Sequence, residues 1–100
     1  MFAIKGKIQT IELKKYQKGE FYVILMCRTS TNEQYKDSFI EFICFNEKAI
    51  ETIKTNNYEP NDIVEFTFYI RGVESKERNV GWKNNLFITN AVMIKKNVKK

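Results

Sequence analysis

The stretch Asp37-Ser-Phe-Ile-Glu-Phe-Ile-Cys-Phe-Asn-Glu47 constrains the fold most. Alternation with period 2 puts Ile40, Phe42 and Cys44 on one face of a strand and Phe39, Glu41, Ile43 and Phe45 on the other. The first face suits a core. The second carries two Phe and is too apolar for an ordinary solvated face, so either a second layer covers it or something flat binds there. A helical segment, Glu47 to Thr55, follows at once. Asn46 is placed to cap it, and Ala49, Ile50 and Ile53 give it a short apolar stripe that would plug one open end of a barrel.

The flanking chain supplies more strands. Phe2 to Leu13 reads as the first. Ile4 and Ile8 share one parity and Ile11 and Leu13 the other, which predicts a bulge or bend between them; Gly6 is a second place for tight coiling. A Lys-rich turn follows, in which Gly19 can take a positive φ. In the second strand, Phe21 to Arg28, the set Phe21, Val23, Leu25, Cys27 alternates with Tyr22, Ile24, Met26, Arg28. The first set is assigned to the core, because a guanidinium is costly to bury. A polar loop over 29–36 should make a hairpin with the third strand. After the helix, a turn-rich link leads into Ile63 to Glu74, where Val64, Phe66, Phe68 and Ile70 oppose Glu65, Thr67, Tyr69 and Arg71. A long polar loop, Gly72 to Lys83, carries Trp82; Leu86, Ile88, Val92 and Ile94 mark the last strand. This order predicts an all-β chain: a five-stranded OB-fold barrel with one short helix between strands 3 and 4. The domain spans 1–95, and 96–100 form a short basic tail whose plainest role is to solubilise.

Composition narrows the function. Of 100 residues, 43% are hydrophobic and 14% aromatic, which argues for a folded globule. The net charge of +5 suits a polyanion partner but is ordinary for a soluble protein. There is no His to act as a base near neutral pH, no nucleophile elbow and no Gly-rich phosphate loop. The expectation is a protein that is not an enzyme and needs no cofactor. Cys27 and Cys44 sit in apolar strands without a CxxC pair, and read as free buried thiols rather than as a disulfide or metal ligands. No signal peptide or membrane-length run is visible, so a soluble cytoplasmic protein is expected.

Aromatic rings on a sheet, interleaved with Lys and Arg, match what single-stranded nucleic acid requires, because bases stack on rings and phosphates sit beside cations. The candidates by outward parity are Lys5, Lys7, Tyr22, Arg28, Phe39 and Phe45; those in loops are Tyr16, Lys18, Tyr35, Lys36, Arg78, Trp82 and Lys83. Other readings stand beside these. Phe39 and Phe45 also suit barrel core or a dimer surface, and Trp82 a cap over the barrel. Tyr22, with Ile24 and Met26, suits a dimer or tetramer contact. Glu41, central on the proposed face, counts against dense phosphate contact there.

Gly6-Lys7-Ile8, Phe21-Tyr22-Val23, Gln34-Tyr35-Lys36, Phe42-Ile43-Cys44-Phe45 with Asn46-Glu47-Lys48, Pro60-Asn61-Asp62-Ile63-Val64, and Trp82 ahead of Ala91-Val92 together give a recognisable pattern. From Gly6 to Ile94 the chain resembles the small single-stranded-DNA-binding-like OB proteins of bacteria and phages. The resemblance implies single-stranded DNA binding in replication, recombination or repair, often as a homo-oligomer. It implies that aromatics at the start and end of strand 3, here Phe39 and Phe45, stack bases. The chain departs from the pattern in carrying Glu41 where a basic residue often lies, and in ending on Lys99-Lys100 rather than an acidic tail that recruits partners. Two alternatives remain open: an OB-type interaction or oligomerisation module with little nucleic-acid affinity, and a single-stranded RNA binder.

Overall fold

The computed structural model describes residues 1–28, 37–74 and 82–97. Five strands, β1 (Phe2–Tyr16), β2 (Gly19–Arg28), β3 (Ser38–Cys44), β4 (Ile63–Glu74) and β5 (Trp82–Lys95), close into a barrel in the order β1-β2-β3-β5-β4. A single helix, α1 (Glu47–Thr55), lies between β3 and β4. This is the predicted OB-fold.

β1 holds the barrel together by serving two neighbours. Phe2 to Lys7 pair with β4, and Lys7 to Tyr16 pair with β2. The handover needs a change of direction, and the expected bulge lies there, as a register shift between Ile8 and Thr10. At that point Ile8 leaves the regular ladder: its N–H donates to the Asp62 carbonyl at 2.9 Å, and its carbonyl accepts from Asn61 N–H at 2.7 Å. Gly6 is required just before. A Cβ there would lie 2.6 Å from Met26 Cγ and 2.9 Å from the Cys27 carbonyl oxygen. The β1–β2 hairpin closes through Tyr16 opposite Gly19, whose φ of +152° disfavours a side chain.

The core includes Ile8, Tyr22, Ile24, Met26, Phe42, Cys44, Val64, Phe66, Phe68, Ile88 and Ala91, with Ala49 and Ile53 of the helix and Tyr58. Phe42 meets Phe66 and Phe68 edge-on, with ring centres 5.3 and 5.1 Å apart. α1 closes one end of the barrel. The Asn46 side chain accepts from Ala49 N–H at 3.1 Å, Glu47 and Lys54 sit at the termini where the helix dipole favours them, and Ala49 and Ile53 are buried. Beyond α1, Asp62 is fully buried. It accepts from Lys96 Nζ, Asn97 N–H and Glu59 N–H, each at 2.8 Å. The expected basic tail is thus tethered at its first two residues.

The inward set of β2 differs from expectation. Tyr22, Ile24 and Met26 are buried, whereas Phe21, Val23 and Leu25 are only partly covered and face outward; of the predicted core set only Cys27 is buried. Arg28 remains exposed despite sharing parity with the core, because it is the last residue of β2 and its side chain clears the barrel rim. In β5 a second shift pairs Thr67 with Asn90 but Phe68 with Ile88, leaving Thr89 as the extra residue. Parity changes there, so Leu86 and Ile88 face the core first and Ala91 and Met93 afterwards. Val92 and Ile94, expected in phase with Ile88, are exposed. Trp82 opens β5 opposite Glu74 instead of lying in a loop.

Candidate nucleic-acid interface

Barrel closure between β3 and β5 is slender. The two strands run parallel and share one bridge, Ile43 with Phe87. Around this bridge the outward residues of four strands form a row of rings. Tyr16 stands edge-on to Phe21 and to Phe45, at 5.7 and 5.5 Å. Phe21 and Phe45 stack at 4.7 Å with planes 21° apart. Phe45 lies 6.2 Å from Phe87, and Phe87 stacks on Tyr69 at 5.4 Å. The row exists because register places each ring beside the next: Tyr69 faces Phe87 across β4–β5, and Phe45 follows β3 immediately beyond Cys44, the partner of Tyr22. Tyr16, Phe45 and Tyr69 are each more than two-fifths exposed, so the row offers ring surface to solvent. The packed rings fix one another's orientation, which lowers the entropy a flat ligand must overcome.

The site residues named from sequence divide among several places. Phe45 is central in the row. Phe39 lies on the same face and is 58% exposed, but it sits six residues back along the chain, roughly 20 Å away at strand spacing. Lys5, Lys7 and Arg28 border one recess of about 250 Å³, with Gly6, Cys27 and Ile63. Lys7 is aligned with Cys27, and Cys27 with Phe39, so this basic cluster extends the row of strand positions that holds Phe39. Lys5 Nζ stands 3.9 Å from a Glu65 carboxylate oxygen, an exposed and weak pairing. Lys18 belongs to the other end: with Tyr16 and Phe45 it lines a groove of about 450 Å³ between the β1–β2 turn and α1. In that groove Lys54 donates a hydrogen bond to Glu20, and this bond holds the Glu20 carboxyl below its usual pKa. Lys54 is therefore engaged, and Lys18 is the cation beside the rings.

Tyr22 is a correction. It points inward and is 9% exposed, and burial pushes its phenol pKa up. It belongs to the core, not to an outer surface. Tyr35, Lys36 and Arg78 lie outside the described residues. Trp82 and Lys83 align with Glu74 and Val73 at the start of β5, and their side chains are likewise not described. Sequence reasoning left Phe21 in the core and did not single out Tyr69 or Phe87. The outward parity of Phe21 becomes visible only once the Arg28 test for β2 is set aside; Tyr69 already stood opposite the core set of β4, and Phe87 alternates with Leu86 and Ile88.

No protein-family model matches the chain, and no curated protein is similar to it in sequence. Solved structures do match in shape. A mitochondrial single-stranded DNA binding protein of S. cerevisiae, Rim1, superposes with a TM-score of 0.75 at 13% identity, covering 97% of this chain and 95% of that one. A small single-stranded DNA binding protein from Mycoplasma pneumoniae gives 0.60 at 16% identity, covering 98% and 96%. The Plasmodium falciparum SSB, solved in complex with ssDNA, gives 0.64 at 12% identity, covering 96% and 93%. The chain has, over nearly its whole length, the barrel fold of these single-stranded DNA binding proteins.

Proposed function

We propose that the protein binds single-stranded DNA with little sequence dependence, stacking bases along the outer ring row and pairing phosphates with the cations at its margins. The observation that carries this reading is the continuous contact from Tyr16 through Phe21, Phe45 and Phe87 to Tyr69 across four strands. Base stacking contributes on the order of 1–3 kcal/mol per base and tolerates any base, since every base has a π-face. Lys18 at one end, and Lys5, Lys7 and Arg28 at the other, supply the salt-dependent part. The likeness in fold to single-stranded DNA binding proteins supports the same reading. A role in replication, recombination or repair follows from it.

The test is fluorescence anisotropy of a labelled oligo-dT at low and high salt, with a duplex control. Binding that is selective for the single strand and weakens with salt is expected. Absence of binding at low salt overturns the proposal and favours a protein-docking role for the same rings. Self-association is part of the proposal: Leu13, Val92 and Ile94 expose apolar surface away from the ring row. Light scattering that returns a monomer mass removes that part alone.

A further inference from the structure

Next to the ring row lies a polar step that stacking does not use. Two residues back along each strand from the Ile43–Phe87 bridge stand Glu41 on β3 and Asn85 on β5. Both line one recess of about 310 Å³, walled by Phe39, Ile43 and Leu86. On the far side of Asn85 its β4 partner is Arg71. An acceptor, an amide and a fork of donors thus follow one another across the seam between β3 and β5. Arg71 is exposed, and among the described residues neither the Glu41 nor the Arg71 side chain has an ion-pair or hydrogen-bond partner.

A carboxylate in the path of a polyanion is repelled unless it meets a donor, and an ionised carboxylate can only accept. Within reach of a single strand the available donors are base edges. Thymine offers one N–H between two carbonyls that face the carboxylate with like partial charge. Cytosine offers an amine beside two acceptors. Guanine offers two adjacent donors, N1–H and the 2-amino group, matched to the two carboxylate oxygens, and next to them O6, an acceptor for the Asn85 amide or the Arg71 guanidinium. Bases of single strands are read on this edge once they are splayed from one another.

We propose that Glu41, with Asn85 and Arg71, forms a guanine-preferring position within the binding face, so that one base in the bound strand is read while its neighbours are only stacked. The inference rests on the single-stranded DNA reading above.

The experiment titrates labelled oligo-dT and same-length strands carrying isolated dG, dC or dA substitutions, which cannot form quadruplexes, against the full chain and its Glu41→Gln and Glu41→Ala variants. The dG strand should bind about fivefold tighter than oligo-dT, the low end of what a bidentate base contact contributes. Both variants should abolish that difference, while the dT affinity holds or rises, because thymine offers the carboxylate no matched pair of donors and escapes its repulsion. Circular dichroism checks that the variants are folded. Equal affinity for all four strands, with dT binding intact, overturns the guanine position and leaves the function standing. A rise in affinity for all strands in Glu41→Gln also overturns it, since Glu41 then acts only by repulsion. Failure of every strand to bind removes both proposals.

Discussion

Phe21 on β2 and Phe45, just beyond the end of β3, stack with ring centres 4.7 Å apart, and neither belongs to the core. Such a pair contributes about 0.5–1.5 kcal/mol beyond its area burial, yet it leaves Phe45 42% exposed. Its geometry favours a further flat group over a closed interior.

Phe45→Ala should therefore weaken single-strand binding by more than it weakens the fold. The expected loss is about 2–3 kcal/mol of binding free energy, against about 1–2 kcal/mol of stability from the lost ring contacts. Anisotropy titration and urea denaturation of the same preparation separate the two. A stability loss exceeding the binding loss would assign Phe45 to the core.

Gly6→Ala should destabilise the barrel by about 1–3 kcal/mol. The added Cβ meets the Met26 side chain, which can move, and the Cys27 carbonyl, which is held in the β1–β2 ladder. Met26→Ala in the same chain should relieve only the first clash, so the double variant stays less stable than Met26→Ala alone. Thermal melting of the three variants decides this.

Asp62 links the end of β5 to the turn before β4, and its ionisation carries a pH signature. Burial by itself would raise its pKa; the Lys96 ammonium and the N–H groups of Asn97 and Glu59 outweigh that and hold it below the ordinary 3.8. The unfolded chain thus binds this proton more readily. The stabilisation is fully present above pH 3.8 and is lost as the pH falls through the lower folded value. Asp62→Asn should cost about 1–3 kcal/mol near neutral pH: the Asn97 and Glu59 N–H groups lose a charged acceptor, while the partly exposed Lys96 keeps Glu59 at 3.5 Å. The difference from the parent should shrink below pH 3.8. Urea midpoints measured across that range test the sign.

Cys44 should resist thiol reagents in the native state. It is fully buried, and burial pushes its thiol pKa up to about 11, so scarcely any thiolate exists at neutral pH. Labelling should proceed only through opening of the barrel and accelerate with urea in step with loss of structure. Rapid labelling in the absence of urea would contradict the inward position of β3.

Much of this architecture was legible because it is written locally. α1 begins and ends where Asn46 and its apolar stripe place it, and β3 divides its faces as alternation requires. The β1 bulge shows in the parity change from Ile8 to Ile11. The misreadings came where a local rule met a strand end or an extra residue. Arg28 is diagnostic of a face in mid-strand, but at the rim its side chain reaches solvent from an inward parity. The Thr89 bulge inverted the β5 pattern, and Ala91 is too small to announce itself as core. The ring row was beyond reach for a different reason. Its members come from four segments far apart in sequence, and only pairing register brings Tyr69 to Phe87 or Phe21 to Phe45.

The single β3–β5 bridge bears on more than topology. Of the five seams between neighbouring strands of the barrel, this one has the least backbone pairing. A strand laid over Phe45, Phe87 and Tyr69 spans that fastening from outside. Such a strand would contact both sides of the seam at once, and by linkage its binding would favour the closed barrel. The occupant would then serve as a clasp, with closure of the barrel and capture of its load becoming one thermodynamic event.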